Sequence, residues 1–492
     1  MMRWVVGLTV CLFCRAALCA TVYANPGDTL RPIIAGLSPG DTLILNPGLY
    51  SQTDGVKVIN VNGTATLPIT IEGATGGVAI IEAAYNVNAF EFTTSSYIIL
   101  KNIEIRKGSN TVKFTNTGAC HHITLQGLKL HDTYGVSVSG PTGGHHHITI
   151  SDCEVYDTGK NASLTGEGIY MSYWDNPVDY LTIERCWIHT LNGTQKDGLE
   201  LKYVRNAIIR DNVILGTNKT FPCIKIESAD DATRTNLVER NICYDGDSGI
   251  ETYGDCIVRN NIVFNCDLGI YSRDDAKYPL RNVKIINNTV YNCDTACLQL
   301  NGWSNKTGLV VANNVIYQPT ASKQTLYIGP SAPLTSVTVT SNYYFGTLYL
   351  NTAPSTGFIL AGTPDADFVD VDNRNFFPSG LSAFIDAGSA TYAPADDFIG
   401  SGRPQGVADD VGALEWTEAN ADGFAIPLAG GFASNIITGV APVDPPDDPP
   451  APNSKPKPSG GCAATYRSDQ SFAGMIIATA LALIQRRNRR QR

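Results

Sequence analysis

Eight side chains able to do chemistry recur at matched positions in the middle of this 492-residue chain. They sit in four short segments, GLELK, CIKIE, GIETY and GIYSR, as the pairs Glu200/Lys202, Lys225/Glu227, Glu251/Tyr253 and Tyr271/Arg273. A separation of two residues puts both members of a pair on one face of a β-strand. The pattern suits proton transfer between charged groups. A lysine that is partly buried beside another cation has a lowered pKa and can act as a base, which makes Lys225 and Lys202 the candidates. Glu200 is their acidic neighbour. Arg273 can grip a carboxylate with its fork of donors. Glu227, Asp230, Asp231, Glu251 and Asp274 supply hard oxygen ligands of the kind Ca²⁺ takes. Tyr170, Tyr173, Trp174, Tyr253 and Tyr271 add flat ring faces for stacking. A plainer account also fits: Glu200, Lys225 and Glu251 alternate in sign, as do Lys202 and Glu227, and such neighbours pair for about 0.2–1 kcal/mol each.

The elements that must hold these residues follow from a repeat. A short apolar strand, a tight turn and a second strand recur around Ile103, Leu128, Cys153, Cys186, Asn212, Asn241, Asn261, Asn288, Asn314 and Asn342, in steps of 20 to 33 residues. An apolar residue stands two places after each centre and another three places before it. A unit this small cannot bury its own apolar face and must stack on its neighbours. The 46 glycines and the Asn-rich turns punctuating Val/Ile/Thr/Tyr runs agree with all-β structure. The asparagines themselves suit the left-handed conformation of tight turns. A following strand aligns from coil to coil. Its inward residues are Val112, Val136, Ile169, Leu199, Ile224, Ile250, Ile270 and Leu298. One outward column then reads Lys113, Ser137, Tyr170, Glu200, Lys225, Glu251, Tyr271, Gln299. The next reads Thr115, Ser139, Ser172, Lys202, Glu227, Tyr253, Arg273, Asn301. The insertions TGKNASLTGEG and YWDNPVD stand ready to wall a groove beside them.

Both ends carry export features. Arg3 precedes an apolar run from Trp4 to Phe13 with small residues to Ala20, which predicts a secretory signal peptide over residues 1–20. At the other end a Pro/Asp-rich spacer leads to Gly460, Gly461 and Cys462, then to an apolar run from Phe472 to Ile484 and an arginine cluster. That run is short for a membrane span of ~20 residues. The net charge of −10 argues against nucleic acid as a partner, while a local basic strip still allows an anionic polymer. Of thirteen cysteines, Cys11, Cys14, Cys19 and Cys462 belong to the ends, leaving nine in the body. The register sets Cys153 beside Cys186 and Cys266 beside Cys293 on adjacent rungs ~4.8 Å apart, within disulfide range. Stacked, reduced thiols fit equally. His121 and His122 open one rung and His145, His146 and His147 the next, with His122 over His147. Their place at coil corners assigns them to the turn surface.

The motifs IIRDNVI, VERNICY, VRNNIVF, IINNTVY and VANNVIY resemble the right-handed parallel β-helix, or pectate-lyase-like, superfamily over residues 21–350. The resemblance implies an all-β solenoid of about 10–12 coils with capping segments, in which stacked asparagines hydrogen-bond from rung to rung. Residues 351–420 resemble a terminal capping module, 421–458 form the linker, and 459–492 resemble a bacterial sorting signal of the myxobacterial type with Cys462 at the processed position. Together these imply an exported monomer retained at the cell surface and acting on polysaccharide. Lyases of this fold use a Lys or Arg base, often with Ca²⁺, so β-elimination on a uronate glycan is the leading expectation. Two others stand beside it. One is a glycan-binding adhesin without catalysis. The other is an inverting hydrolase using Glu200 and Glu251, whose two-rung separation of roughly 9–10 Å lies near the upper limit for such a pair.

Overall fold

The computed structural model describes residues 19–140, 144–172, 177–229, 231–329, 337–350, 356–418 and 426. The chain divides into a unit ending at Asp444 and a second unit, Pro445–Arg492, which lies outside the described residues together with Cys462 and the Phe472–Ile484 run. Among the described residues no helix is long and apolar enough to cross a membrane.

The repeat folds as a right-handed parallel β-solenoid of about 11 turns. Each coil carries three strands. One runs Asn236–Glu239, Ile242–Tyr244 and Ser248–Thr252, and the next runs Cys256–Arg259, Ile262–Phe264 and Leu268–Arg273. The middle strands stack into a 13-stranded sheet, and the first and third strands join into a 25-stranded one. Pairing is in register along the axis, so Asn236 meets Cys256 and Cys256 meets Val283. Because side chains alternate along a strand, every second residue points into the tube. Val258, Ile285 and Val311 are thus fully enclosed in one continuous aliphatic core. The six-residue helix Leu30–Ala35 packs Leu30 and Ile34 against that core near the N-terminal end.

The asparagines form a hydrogen-bonded ladder. The backbone N–H and side-chain amide of Asn241 both donate to Asn261 Oδ1, at 2.9 and 3.0 Å. Asn261 donates twice to Asn288 at 3.0 Å, and the pattern continues through Asn314 to Asn342. Each amide also reaches a strand carbonyl of the preceding coil, as Asn261 does to Val238 O at 2.9 Å. The expected left-handed backbone belongs instead to the residue before each centre: Asp152, Arg185, Asp211, Arg240, Asn260, Asn287 and Asn313 all have φ between 50° and 59°. The ladder position selects asparagine for a buried amide with both donor and acceptor, not for its turn propensity.

Several of those left-handed residues point outward and hold the C-terminal segment. Asn260 donates to Asp396 O at 2.8 Å, Asn287 to Asp410 O at 3.1 Å and Asn313 to Ser389 O at 3.1 Å. Residues Phe368, Phe376, Phe384 and Phe398 then bury a second core against Ile242, Tyr244, Phe264 and Tyr317. The segment therefore lies along the outside of the 13-stranded sheet.

Two sequence expectations change here. Val138, not Val136, pairs with Val112 and Ile169, so Ser139, not Ser137, stands between Lys113 and Tyr170. The strand on that rung starts two residues later than simple alignment gives. The disulfide candidates are not formed: all ten described cysteines are free thiols, and all but Cys19 are buried. Cys153 and Cys186 interact on adjacent rungs, and so do Cys266 and Cys293, while Cys266 also contacts Cys223 and Cys293 also contacts Cys297. Burial pushes the Cys186, Cys223, Cys266 and Cys293 thiols up.

Replacing Asn261 by Ala removes the acceptor of two buried Asn241 donors. Chemical denaturation should show a loss of roughly 3 kcal/mol, against a change within about 0.5 kcal/mol for the exposed Asn116→Ala.

Candidate functional site

The third strands of successive coils carry the outward charges. Register runs Lys113–Ser139–Tyr170–Glu200–Lys225–Glu251–Tyr271–Gln299, one residue per coil. The column divides into two parts with different surroundings.

Towards the C-terminal coils it is a closed ion-pair network. Lys225 Nζ lies 3.2 Å from Glu200 Oε1 and 3.1 Å from Glu227 Oε1. Tyr278 covers Glu227 with a hydrogen bond. Arg273 Nε binds Glu251 Oε1 at 2.9 Å, the Tyr253 hydroxyl donates to the same oxygen at 2.9 Å, and Arg273 stacks 4.8 Å from the Tyr253 ring centre. Tyr271 accepts from Asn301 at 3.2 Å. Burial would lower the Lys225 pKa, but Glu227, Glu200 and Glu251 outweigh it and raise the pKa. The expectation of a lowered lysine at this position is therefore reversed: a lysine ringed by carboxylates keeps its proton. The expected Ca²⁺ ligands do not converge either. Asp231 pairs with Arg234 at 3.3 Å, Asp274 with Lys306 at 2.6 Å, and Glu227 and Glu251 are spent on the network. Asp230, Tyr173 and Trp174 lie outside the described residues.

Towards the N-terminal coils the column opens into a groove of about 590 Å³. Lys113, Ser139, Tyr170, Glu200 and Lys202 form its floor, and Ser163–Thr165 of the TGKNASLTGEG insertion and the loop at Thr194–Gln195 form its walls. Glu167 also lines it, and Asp197 lies next to Glu167 on the following coil: Gly168 N donates to Asp197 O at 3.0 Å. A glycine follows each acid because the coils close tightly there. A Cβ at Gly168 would stand 2.6 Å from Gly198 O, and one at Gly198 2.5 Å from Cys223 O. Three residues on, Glu200 returns to the same spot. Carboxylate oxygens of Glu167, Asp197 and Glu200 all lie within 4.8 Å of one another, and all three side chains are buried.

Glu200 Oε1 is well served, by Lys202 at 2.9 Å, Gln195 at 3.1 Å and Lys225 at 3.2 Å. Glu200 Oε2, Glu167 Oε2 and Asp197 Oδ2 are buried without any hydrogen-bond partner. A buried charge so placed is costly, which favours a proton on Glu167 and Asp197. Burial, with the Glu200 charge adding, pushes Asp197 up to about 8 and Glu167 up to about 7. Lys113 shifts the opposite way: burial lowers its pKa, and its Nζ donates to Ser139 Oγ at 2.9 Å. Lys202 Nζ sits 5.1 Å from the Tyr170 ring centre. The site thus unites Tyr170, Glu200 and Lys202 from the sequence reading with Glu167, Asp197 and Lys113, which that reading gave no role. The signal was an acid followed by glycine, two places before the inward residue, on consecutive coils: Glu167-Gly168-Ile169 and Asp197-Gly198-Leu199.

Three orphaned carboxylate oxygens on one spot fit a hard divalent cation of the Ca²⁺ type. They equally fit a shared-proton cluster when no cation is bound.

Comparison with known proteins agrees with the fold. The family model for the right-handed beta helix region matches residues 92–316. No curated protein matches the chain. Among solved structures, XylC in complex with xylose superposes with a TM-score of 0.52 at 9% identity, covering 80% of this chain and 98% of that one. The pectate lyase Pel9A gives 0.48 at 17% identity over 81% and 96%. An alginate lyase from Paenibacillus sp. str. FPU-7 gives 0.46 at 17% identity over 65% and 99%. At such identities the likeness concerns the right-handed parallel β-helix alone.

The carboxylate pKa values fix a sign for stability. An unfolded Asp or Glu titrates near pH ~4, whereas native Asp197 and Glu167 titrate near about 8 and about 7. Between those limits the native state binds more protons than the unfolded one, so stability falls as pH rises through the window. In metal-free buffer, Asp197→Asn should raise the melting temperature by several degrees at about pH 9 and change it little at about pH 4. Calorimetry at the two pH values reads the difference.

Proposed function

We propose that the chain acts on an acidic polysaccharide by β-elimination, with the Glu167/Asp197/Glu200 groove as its active site. The observation that carries the reading is the trio of buried carboxylates within 4.8 Å of one another, each with an oxygen lacking a hydrogen-bond partner, beside a groove that also holds a lysine of lowered pKa. Elimination requires removal of a proton α to a uronate carboxylate, and the carbanion that forms is affordable only if that carboxylate is neutralised. Glu167, Asp197 and Glu200 would hold Ca²⁺, which supplies that neutralisation when bound. Lys113 takes the proton, since burial lowers its affinity for one and brings it towards the working pH. Lys202, fixed by Glu200 at 2.9 Å, offers a cation to the substrate, and the Tyr170 ring gives a sugar a face to stack on. Lys225 serves as a structural counter-ion to Glu200 and Glu227. Export through residues 1–20 and retention at the surface through Cys462 belong to the same reading, and place the groove where extracellular glycans are met.

Hydrolysis is the second reading. It is favoured by Asp197 and Glu167, which keep protons near neutral pH and so can serve as general acids. A panel of uronate polymers separates the readings. Elimination gives ultraviolet absorbance from the new carbon–carbon double bond, hydrolysis gives reducing ends without it, and a pure glycan binder gives neither. With elimination, chelation should abolish activity. Lys113→Ala should lower kcat by about 100-fold or more, while Lys225→Ala should act mainly on stability. Activity of Lys113→Ala equal to wild type would remove the assigned base.

A further inference from the structure

Seven histidines occur in the chain, and four of them meet at one corner of two adjacent coils, away from the groove floor. His121 pairs in register with His146. His122 and His147 follow them with φ of 52° and 53°. That left-handed residue breaks the alternation of the strand, so two consecutive side chains face outward before Ile123 and Ile148 turn into the core. The result is a square of imidazoles. Within each coil the two Nδ1 atoms approach to 2.9 Å, for His121 with His122 and for His146 with His147. Between coils the rings lie parallel, 4.8 Å apart for His121/His146 and 4.4 Å for His122/His147. Tyr97 and Tyr180, at φ 53° and 52° in the same column, close the stack 4.4 Å from His122 and 4.5 Å from His147. Turn surface alone explains one such residue per coil. The two rings of each coil share an Nδ1-to-Nδ1 hydrogen bond, so their nitrogens converge on one point and a metal ion would take the place of the shared proton.

We infer that this corner is a binding site for a borderline divalent cation, Zn²⁺ or Cu²⁺, held by His122, His146 and His147. Ring nitrogens of these three lie within 4.8 Å of one another. A tetrahedral ion with bonds of ~2.1 Å keeps its ligands about 3.4 Å apart, so the 2.9 Å pair within a coil needs to open by only about 0.5 Å once an ion replaces the shared proton. Imidazole donors select Zn²⁺, Cu²⁺ or Ni²⁺ over Ca²⁺, which sets this site apart from the carboxylate groove. The nearest acid in register, Asp179 beside His146, is already bound by Arg205 at 2.7 Å and Arg234 at 3.2 Å, leaving the imidazoles as the donor set. Tyr97 and Tyr180 stack on the outer rings, His122 and His147, and hold those two ring planes. This inference stands independently of the polysaccharide reading.

The test uses the full chain without an affinity tag, stripped with a chelator and titrated with Zn²⁺ by calorimetry. The expected result is one equivalent taken up by wild type, lost in His122→Ala/His147→Ala, and kept in Glu167→Gln/Asp197→Asn. Uptake that disappears only in the acidic double variant, or that survives the histidine double variant, overturns the assignment. Cu²⁺ electron paramagnetic resonance on wild type needs no variant: nitrogen hyperfine structure from more than one imidazole is expected, and an all-oxygen spectrum overturns it.

Discussion

The in-register stacking of parallel coils is the constraint on which everything else depends. Successive strands sit ~4.8 Å apart, and the third strands keep one residue per coil opposite one residue per coil along the whole column. Any side chain is therefore forced against its equivalents above and below. Apolar residues in this position make a core. Asparagine makes a ladder, because its amide can give and take a hydrogen bond on the same axis. Opposite charges make an ion-pair column. Like charges crowd one another, which raises the cost of ionising them together.

That last case distinguishes Glu167, Asp197 and Glu200 from the rest of the outward column. Elsewhere a carboxylate meets a lysine or arginine on the next coil, as Glu200 meets Lys225 and Glu251 meets Arg273. At the groove Asp197 lies over Glu167, and Glu200 comes back onto both. The two glycines allow the approach, since side chains at Gly168 and Gly198 would collide with the backbone of the next coil. The insertion around Ser163 and the loop around Thr194 line the groove beside the acids. Burial and crowding together raise the carboxylate pKa values, while burial alone lowers that of Lys113.

The solenoid was legible in the sequence because its period is written in apolar residues and asparagines, whose inward position depends only on local alternation. The charged pairs Glu200/Lys202 and Lys225/Glu227 were legible for the same reason. Their roles were not. Whether a lysine is a base or a counter-ion depends on what the neighbouring coils and the covering loops bring to it, and Lys225 is surrounded by three glutamates contributed by three coils. Glu167 stands at the end of the TGKNASLTGEG insertion, where the repeat is interrupted and coil alignment is weakest, and Asp197 stands in the loop just before the aligned strand of the next coil. The slip at Val136 and Val138 has that origin as well: the loop before the strand absorbs two residues that alignment assigns to the strand. The thiol pairs show the limit of register alone. Cys266 is level with Cys293 by counting and meets it, yet its sulfur also meets Cys223, which counting does not pair with it.

The account rests on the carboxylate cluster holding protons at neutral pH when no cation is bound. Carboxyl-carbon NMR titration of Glu167 and Asp197, assigned with Glu167→Gln and Asp197→Asn and run in chelator, measures this directly. The result predicted is titration near about 7 for Glu167 and about 8 for Asp197, with both displaced to lower pH by added Ca²⁺. Ordinary carboxylate titration near pH ~4 for both residues, unchanged by Ca²⁺, would contradict it.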